Sequence, residues 1–185
     1  MNAVSLPEHV VVRPTRESDA EAFRALRLEA LKLHPDAFGA DFAESDARSI
    51  EHWQERTRPD PGGMQIIYVA EFGNSLIGMT GIYRNNSLKS RHSSSIWGVY
   101  VREAWRGQHI AEALVMTCVN WAQAQTDVRI VKLCVVTTNM SAIRCYVRCG
   151  FAVYGIEPEA LAWNGAYYDE LLMARRFDLA TPMGK

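Results

Sequence analysis

The sequence predicts a single α/β domain built on a mixed sheet, and three observations carry that prediction. The chain has 185 residues, 48% of them hydrophobic, enough for one large core and too apolar for a disordered chain. Its segments read in the order β-α-α-β-β-β-α-β-α-β-β. Helices interrupt the strands unevenly, which favours a mixed sheet over a parallel, doubly wound one.

Each element follows from local pattern. Residues 10–13 are a short β-branched run, the first strand. Ser18 or Asp19 can cap a helix whose apolar positions Phe23, Leu26, Ala30 and Leu33 recur at helical spacing, and Pro35 ends it. Residues 42–58 read as a second, more polar helix, closed by the turn Pro59-Asp60-Pro61-Gly62-Gly63. Residues 65–71 and 76–83 are strands joined through Gly73-Asn74, a hairpin signal. Residues 85–95 are polar and Ser-rich, a surface loop, and 96–101 form the next strand. From 110 to 125 an apolar stripe at helical spacing predicts a long helix. Residues 129–136 alternate basic and apolar residues before becoming wholly apolar, as a central strand does. A short helix over 139–149 stops at Gly150, and strands 151–156 and 167–175 follow, with Asn164-Gly165 at the tip between them. Residues 9–177 are expected to form the domain, with 1–8 and 178–185 as flexible termini.

Bulk properties narrow the function. A net charge of −1 provides no global basic field for nucleic acid. The N-terminus lacks a basic head followed by an apolar run, and no apolar stretch approaches the ~18–20 residues that span a bilayer. Cys118, Cys134, Cys145 and Cys149 lie inside periodic apolar segments, as reduced, partly buried thiols do. The expectation is a cytoplasmic protein with no nucleic-acid or membrane partner, a monomer or homodimer. The five histidines are scattered, so no metal site is expected.

Chemistry concentrates around residues 96–111. A strand there enters a basic turn and then a helix, so unpaired N–H groups and the positive end of the helix dipole meet beside Arg106. Such a turn receives phosphate oxygens. No Gly-Lys-Ser/Thr triplet marks a Walker loop, and no G-x-G-x-x-G follows the first strand. What stands there is Arg106-Gly107-Gln108-His109-Ile110-Ala111. It resembles the pyrophosphate loop of the GNAT superfamily of acyl-CoA-dependent N-acetyltransferases, Gln/Arg-x-x-Gly-x-Gly/Ala, after the hydrophobic strand Val99-Tyr100-Val101. A second block, from Asn139 through Ala142, Tyr146 and Gly150 to Phe151, is similar to the family's N-x-x-A-x-x-x-Y-x-x-x-G-F segment.

The resemblance implies a mixed, mostly antiparallel, twisted sheet of about six to seven strands flanked by about four helices. It implies acetyl-CoA as cosubstrate and direct attack by an amine on the thioester through a tetrahedral oxyanion. The acceptor is then a small molecule or an N-terminal amine; a non-catalytic acyl-CoA-binding sensor and a protein-lysine acetyltransferase are the alternatives. By the same resemblance, Val99 and Val101 offer main-chain groups to pantetheine, and the backbone near Val99 or Tyr100 offers an oxyanion donor. Arg106 through Ala111 hold the diphosphate, Asn139 meets the pantetheine arm, and Tyr146 protonates the leaving thiolate. A phenol with pKa near ~10 is matched to a thiolate near ~8.5. His109 replaces the loop's central glycine, where a Cβ comes between backbone and phosphate. The replacement is expected to fit if its dihedrals are ordinary helical ones, with the imidazole donating to a phosphate; the alternative is an imidazole that crowds the pocket and weakens cofactor binding.

The amine must lose a proton, and Glu71, Asp169, Glu170 and His92 are the candidate bases, with a water relay as the alternative. Acceptor selection is assigned to 34–58 and to the hairpin 157–168. Trp163, Tyr167 and Tyr168 there can line a pocket or cover the sheet edge, and Glu157 and Glu159 can attract a cationic amine.

Overall fold

The computed structural model describes residues 6–177. Seven strands form one sheet: β1 (Val10–Pro14), β2 (Gln65–Phe72), β3 (Ser75–Arg84), β4 (Ser93–Val101), β5 (Ile130–Val136), β6 (Ala152–Trp163) and β7 (Ala166–Arg176). Their spatial order is β1-β2-β3-β4-β5-β7-β6. Every neighbouring pair is antiparallel except β4–β5, which is parallel. The mixed sheet and its strand count match the sequence prediction. Of the predicted termini 1–8 and 178–185, residues 1–5 and 178–185 lie outside the described residues, while Leu6 packs against the core.

Five α-helices flank the sheet, one more than predicted: α1 (Ala20–Leu33), α2 (Phe42–Asp46), α3 (Ile50–Thr57), α4 (Ile110–Gln123) and α5 (Met140–Arg148). The single helix expected over 42–58 is broken in two. Asp41 caps α2 by accepting from Glu44 N at 2.9 Å, and Ser49 restarts the chain in an extended conformation before α3. Residue 49 thus competes with the helix it was expected to continue. Asp19 precedes α1 but does not cap it. Its carboxylate accepts from Arg13 Nη1 at 2.6 Å and from Arg16 N at 2.7 Å, tying the helix start to β1. Leu33, expected in the buried stripe, is exposed at the helix end.

Period-two alternation distributes the strand side chains between two cores. Ile67 and Val69 on one face join Phe23, Leu26, Ala30 and Trp53 of α1 and α3. Tyr68 and Ala70 on the other join Leu114, Val115, Cys118 and Val119 of α4. The sheet is therefore covered by α1–α3 on one side and by α4 and α5 on the other. Two strands exceed their predicted lengths by three residues or more. β4 begins at Ser93, because Ser93–Ser95 pair with Ile130–Lys132 and so draw part of the expected loop into the sheet. β6 runs on to Trp163, and its register with β7 shifts between Glu157 and Leu161. Pro158 cannot donate to a ladder, and Glu159 adopts a positive φ of 51° within that irregular stretch.

Candidate acyl-carrier and acceptor site

The site begins where a ladder stops. β4 and β5 pair in parallel only over Ser93–Ser95 with Ile130–Lys132. Beyond that point they part, and a cleft of about 380 Å³ opens between them. Val99, Tyr100 and Val101 line one wall, Leu133, Val135 and Val136 the other. On the β5 side of the parted β4, the peptide groups have no strand partner, so polar main chain faces the crevice.

Helix α4 starts at the rim. Gly107 has φ 77° and His109, the residue before the first helical one, has φ 59° and ψ 11°. Both lie in the left-handed region, and this overturns the expectation of ordinary helical dihedrals at His109. The position that carries glycine in the family motif is left-handed in this chain, and histidine occupies it at a steric cost of about 1 kcal/mol. The imidazole faces away from the cleft. Its Nδ1 donates to Glu112 Oε2 at 3.1 Å, and Glu112 Oε1 accepts from Arg148 Nε at 2.7 Å. Burial pushes the Glu112 carboxyl up, but these two donors outweigh it and hold the group below its ordinary range. His109 is thereby tied to α4 and α5.

Among the residues the sequence singled out, Val99, Tyr100, Val101, Arg106, Ala111, Asn139 and Tyr146 converge on the cleft. Gly107, Gln108 and His109 form the turn between Arg106 and α4, and Ile110 is buried in the core. Arg106 is held in place: its Nε donates to Val101 O at 3.0 Å and its Nη2 to His34 Nε2 at 2.8 Å. Burial and the neighbouring Arg106 charge keep the His34 ring neutral. Tyr100 donates to Glu29 Oε1 at 2.9 Å, and burial together with Glu29 pushes its phenol up to about 12. Asn139 caps α5 by accepting from Ala142 N at 3.1 Å while also lining the cleft. Tyr146 is buried on α5, and burial raises its phenol further, so it keeps its proton at neutral pH.

The predicted bases separate sharply. Glu71 is spent on Arg13, whose Nε donates to it at 2.6 Å, and does not line the cleft. Arg13 lies on β1, 58 residues away in sequence, so no local pattern announces the pair. His92 precedes the far end of β4, where its carbonyl accepts from Arg129 N, also away from the cleft. Asp169 accepts from Glu159 N at 2.8 Å within the β6–β7 ribbon. Glu170 does not itself line the cleft, but it pairs in register with Val136 and interacts with Cys134, and both of those do. Burial and Glu157 raise its carboxyl above the ordinary range. Trp163 lines a second cavity with Leu31, Phe42 and Leu161, separated from the cleft by Phe38, which borders both. Tyr167 and Tyr168 line neither.

A cationic cluster escaped sequence reasoning. Trp97 and Gly98 on β4 form the cleft floor, with Arg27 of α1 and Arg56 of α3 around the indole. The available signal was Arg27 itself, one helical turn after Phe23 and so on the face that α1 buries.

Comparison with known proteins agrees with this geometry. The curated L-amino acid N-acetyltransferase AaaT of Escherichia coli K12 is 26% identical over 170 residues, covering 90% of this chain and 97% of that protein. A GNAT-family acetyltransferase structure from Streptococcus pneumoniae superposes with a TM-score of 0.81 at 20% identity, covering 91% of this chain and 99% of that one. The yncA acetyltransferase of Salmonella typhimurium, solved with its cofactor acetyl-CoA, gives a TM-score of 0.77 at 19% identity over 95% and 99% of the two chains. Among the described residues no helix is long and apolar enough to cross a membrane. The acetyltransferase (GNAT) family model matches residues 27–151, and the chain belongs to that family.

Proposed function

We propose that the chain transfers the acetyl group of acetyl-CoA to the primary amine of a small molecule, with residues 9–177 as the transferring unit. The parting of β4 from β5 carries this reading, because it leaves main-chain amides beside a buried phenol and a helix N-terminus. The shape suits the carrier. The free edge of Val99–Val101 matches the amides of a pantetheine arm, and the left-handed turn at Gly107–His109 opens onto the first N–H groups of α4, where diphosphate oxygens are favoured. Arg106, already fixed by Val101 and His34, adds a positive charge at that end. Asn139 flanks the arm from α5.

The thioester brings an activated acetyl group, and the protein's groups serve the three needs of amine attack. A main-chain N–H near Val99 or Tyr100 meets the developing oxyanion without reorganising. Tyr146, protonated at neutral pH, delivers its proton to the departing sulfur. Glu170 takes the proton from the incoming ammonium, directly or through a water, and its raised pKa makes it a stronger base than an ordinary carboxylate. The imidazole of His109 does not line the crevice and so leaves room for the carrier, which supports turnover over a non-catalytic sensor. The AaaT likeness favours a small-molecule acceptor over a protein lysine. Four free thiols, three of them buried, are consistent with a reducing, cytoplasmic setting.

Tyr146→Phe tests the assignment. Thiol release with a panel of amines is expected to fall about 10²-fold or more in kcat while KM for acetyl-CoA changes less than about threefold. A phenylalanine variant as fast as the parent removes Tyr146 from the chemistry.

A further inference from the structure

Behind Phe38, Trp97 and Gly98, which line the cleft, lies positive charge with no countercharge among the described residues. Arg27 Nη1 is fully buried and has no hydrogen-bond partner. Its guanidinium lies 5.0 Å from the Phe38 ring centroid and 5.8 Å from that of Trp97. Arg56 lies over the same indole at 4.5 Å. Neither arginine forms an ion pair among the described residues, whereas Arg13, Arg24, Arg58, Arg84, Arg102 and Arg148 all do. Burial, with the adjacent Arg56 charge, lowers Arg27 to about 10, so it stays cationic at neutral pH. Aromatic faces attract a guanidinium, but they do not satisfy its N–H groups. A buried donor without an acceptor is costly, and two neighbouring cations add repulsion.

The surroundings keep this arrangement in place beside the cleft. Trp97 rests on Gly81, where a Cβ would stand 2.3 Å from Cε2, so the indole is fixed against β3. Gly98, with φ 67°, leaves unfilled the position where a Cβ would meet Arg27 Nη1 at 3.4 Å. Asp36, the carboxylate that lines the cleft, acts on His34, and among the described residues the charge that acts on Arg27 is that of Arg56.

We infer that Arg27 and Arg56, flanking Trp97 beside Gly98, form a subsite for a carboxylate on the acceptor, which makes the substrate class α-amino acids. The spacing fits. Successive strand residues are about 3.3 Å apart, so a carboxylate beside Gly98 brings the adjacent α-amine toward Val99, where the main chain faces the acyl carrier. Arg27 Nη1 then gains its missing acceptor, and the cationic pair gains a countercharge. This assignment rests on the acetyl-transfer reading above and deepens it.

The test compares proteinogenic L-amino acids with their primary α-amides, by thiol release from acetyl-CoA and by calorimetric binding to the CoA-saturated protein. An α-amine beside an amide loses its proton more readily than one beside a carboxylate, so amine basicity biases the rates against the inference. The parent enzyme is expected to prefer acid over amide by about 10²-fold in kcat/KM. Arg56→Gln, at an exposed position, and Arg27→Gln are each expected to cut kcat/KM for the acid about tenfold or more and that for the amide less than about threefold. Arg27→Lys, which keeps the charge, is expected to recover part of the preference even if Arg27→Gln folds poorly. Acids and amides used equally well, or arginine variants that slow both alike, would overturn the subsite and leave acetyl transfer standing. If no amine speeds thiol release, acetyl transfer fails and calorimetry decides the subsite. Acid binding lost in Arg56→Gln supports it; no acid binding overturns it.

Discussion

Replacing His109 by glycine separates the cost of this loop's geometry from its use. The residue holds φ 59°, where a side chain costs about 1 kcal/mol and glycine costs almost none. The substitution also removes the Nδ1 contact to Glu112 at 3.1 Å, from a side chain that is 58% exposed. Such an i, i+3 surface pair contributes about 0.3 kcal/mol. Relief exceeds loss, so His109→Gly is expected to stabilise the protein by about 0.7 kcal/mol, a rise of about 2 °C in Tm for a chain of this size. The imidazole does not line the cleft, so the affinity for CoA should stay within about tenfold, or ~1.4 kcal/mol. Thermal unfolding with and without CoA, together with calorimetry, reads both quantities. A hundredfold loss of CoA affinity would disprove this placement and put the imidazole on a phosphate. A Tm lowered by several degrees would show that the Glu112–Arg148 tie depends on His109.

Three further outcomes follow from other parts of the molecule. Gly81→Ala drives a methyl into Trp97, so it is expected to cost about 2 kcal/mol, about 6 °C in Tm, and to blunt tryptophan-dependent acceptor binding; an unchanged Tm would contradict the packing. Glu170→Gln is expected to lower kcat and to remove the acid limb of the pH–rate profile, because in the parent activity falls as pH drops through the raised Glu170 pKa; an unchanged limb would exclude it as the base. Asp19, Glu71 and Glu112 all titrate below their ordinary range, so their stabilisation is complete above the unfolded carboxylate pKa of about 4 and is lost as pH falls through the lower folded values. Chemical denaturation at pH 7 and pH 3 measures that loss, and equal stabilities would contradict the ion pairs.

What is legible in the sequence is what acts locally. The order of strands and helices, the strand that runs into a basic turn, and the N-x-x-A-x-x-x-Y block at Asn139–Tyr146 all depend on residues near one another in the chain. The splayed β4–β5 cleft duly collects Val99, Tyr100, Val101, Arg106, Asn139 and Tyr146. What is not legible depends on partners distant in sequence or on backbone angles. Glu71 reads as a base in isolation, but Arg13 of β1 takes its carboxylate. Residues 42–58 carry helical composition throughout, and the break before Ile50 comes from Ser49 acting as a cap. The left-handed angle at His109 is not fixed by composition, because histidine, although enriched at positive φ over most side chains, adopts it in only a small minority of cases. Arg27 is readable only as an anomaly, a cation on the buried face of α1. Its meaning requires Trp97, Arg56 and Gly98, which separate elements bring together.

The most direct measurement is a crystal structure of the protein with acetyl-CoA. The thioester arm is expected between β4 and β5, hydrogen-bonded to the main chain of Val99–Val101, with the diphosphate at the start of α4 and the sulfur within reach of the Tyr146 hydroxyl. An arm bound outside that crevice, or a diphosphate held away from the turn at Gly107–His109, would contradict this reading of the cleft.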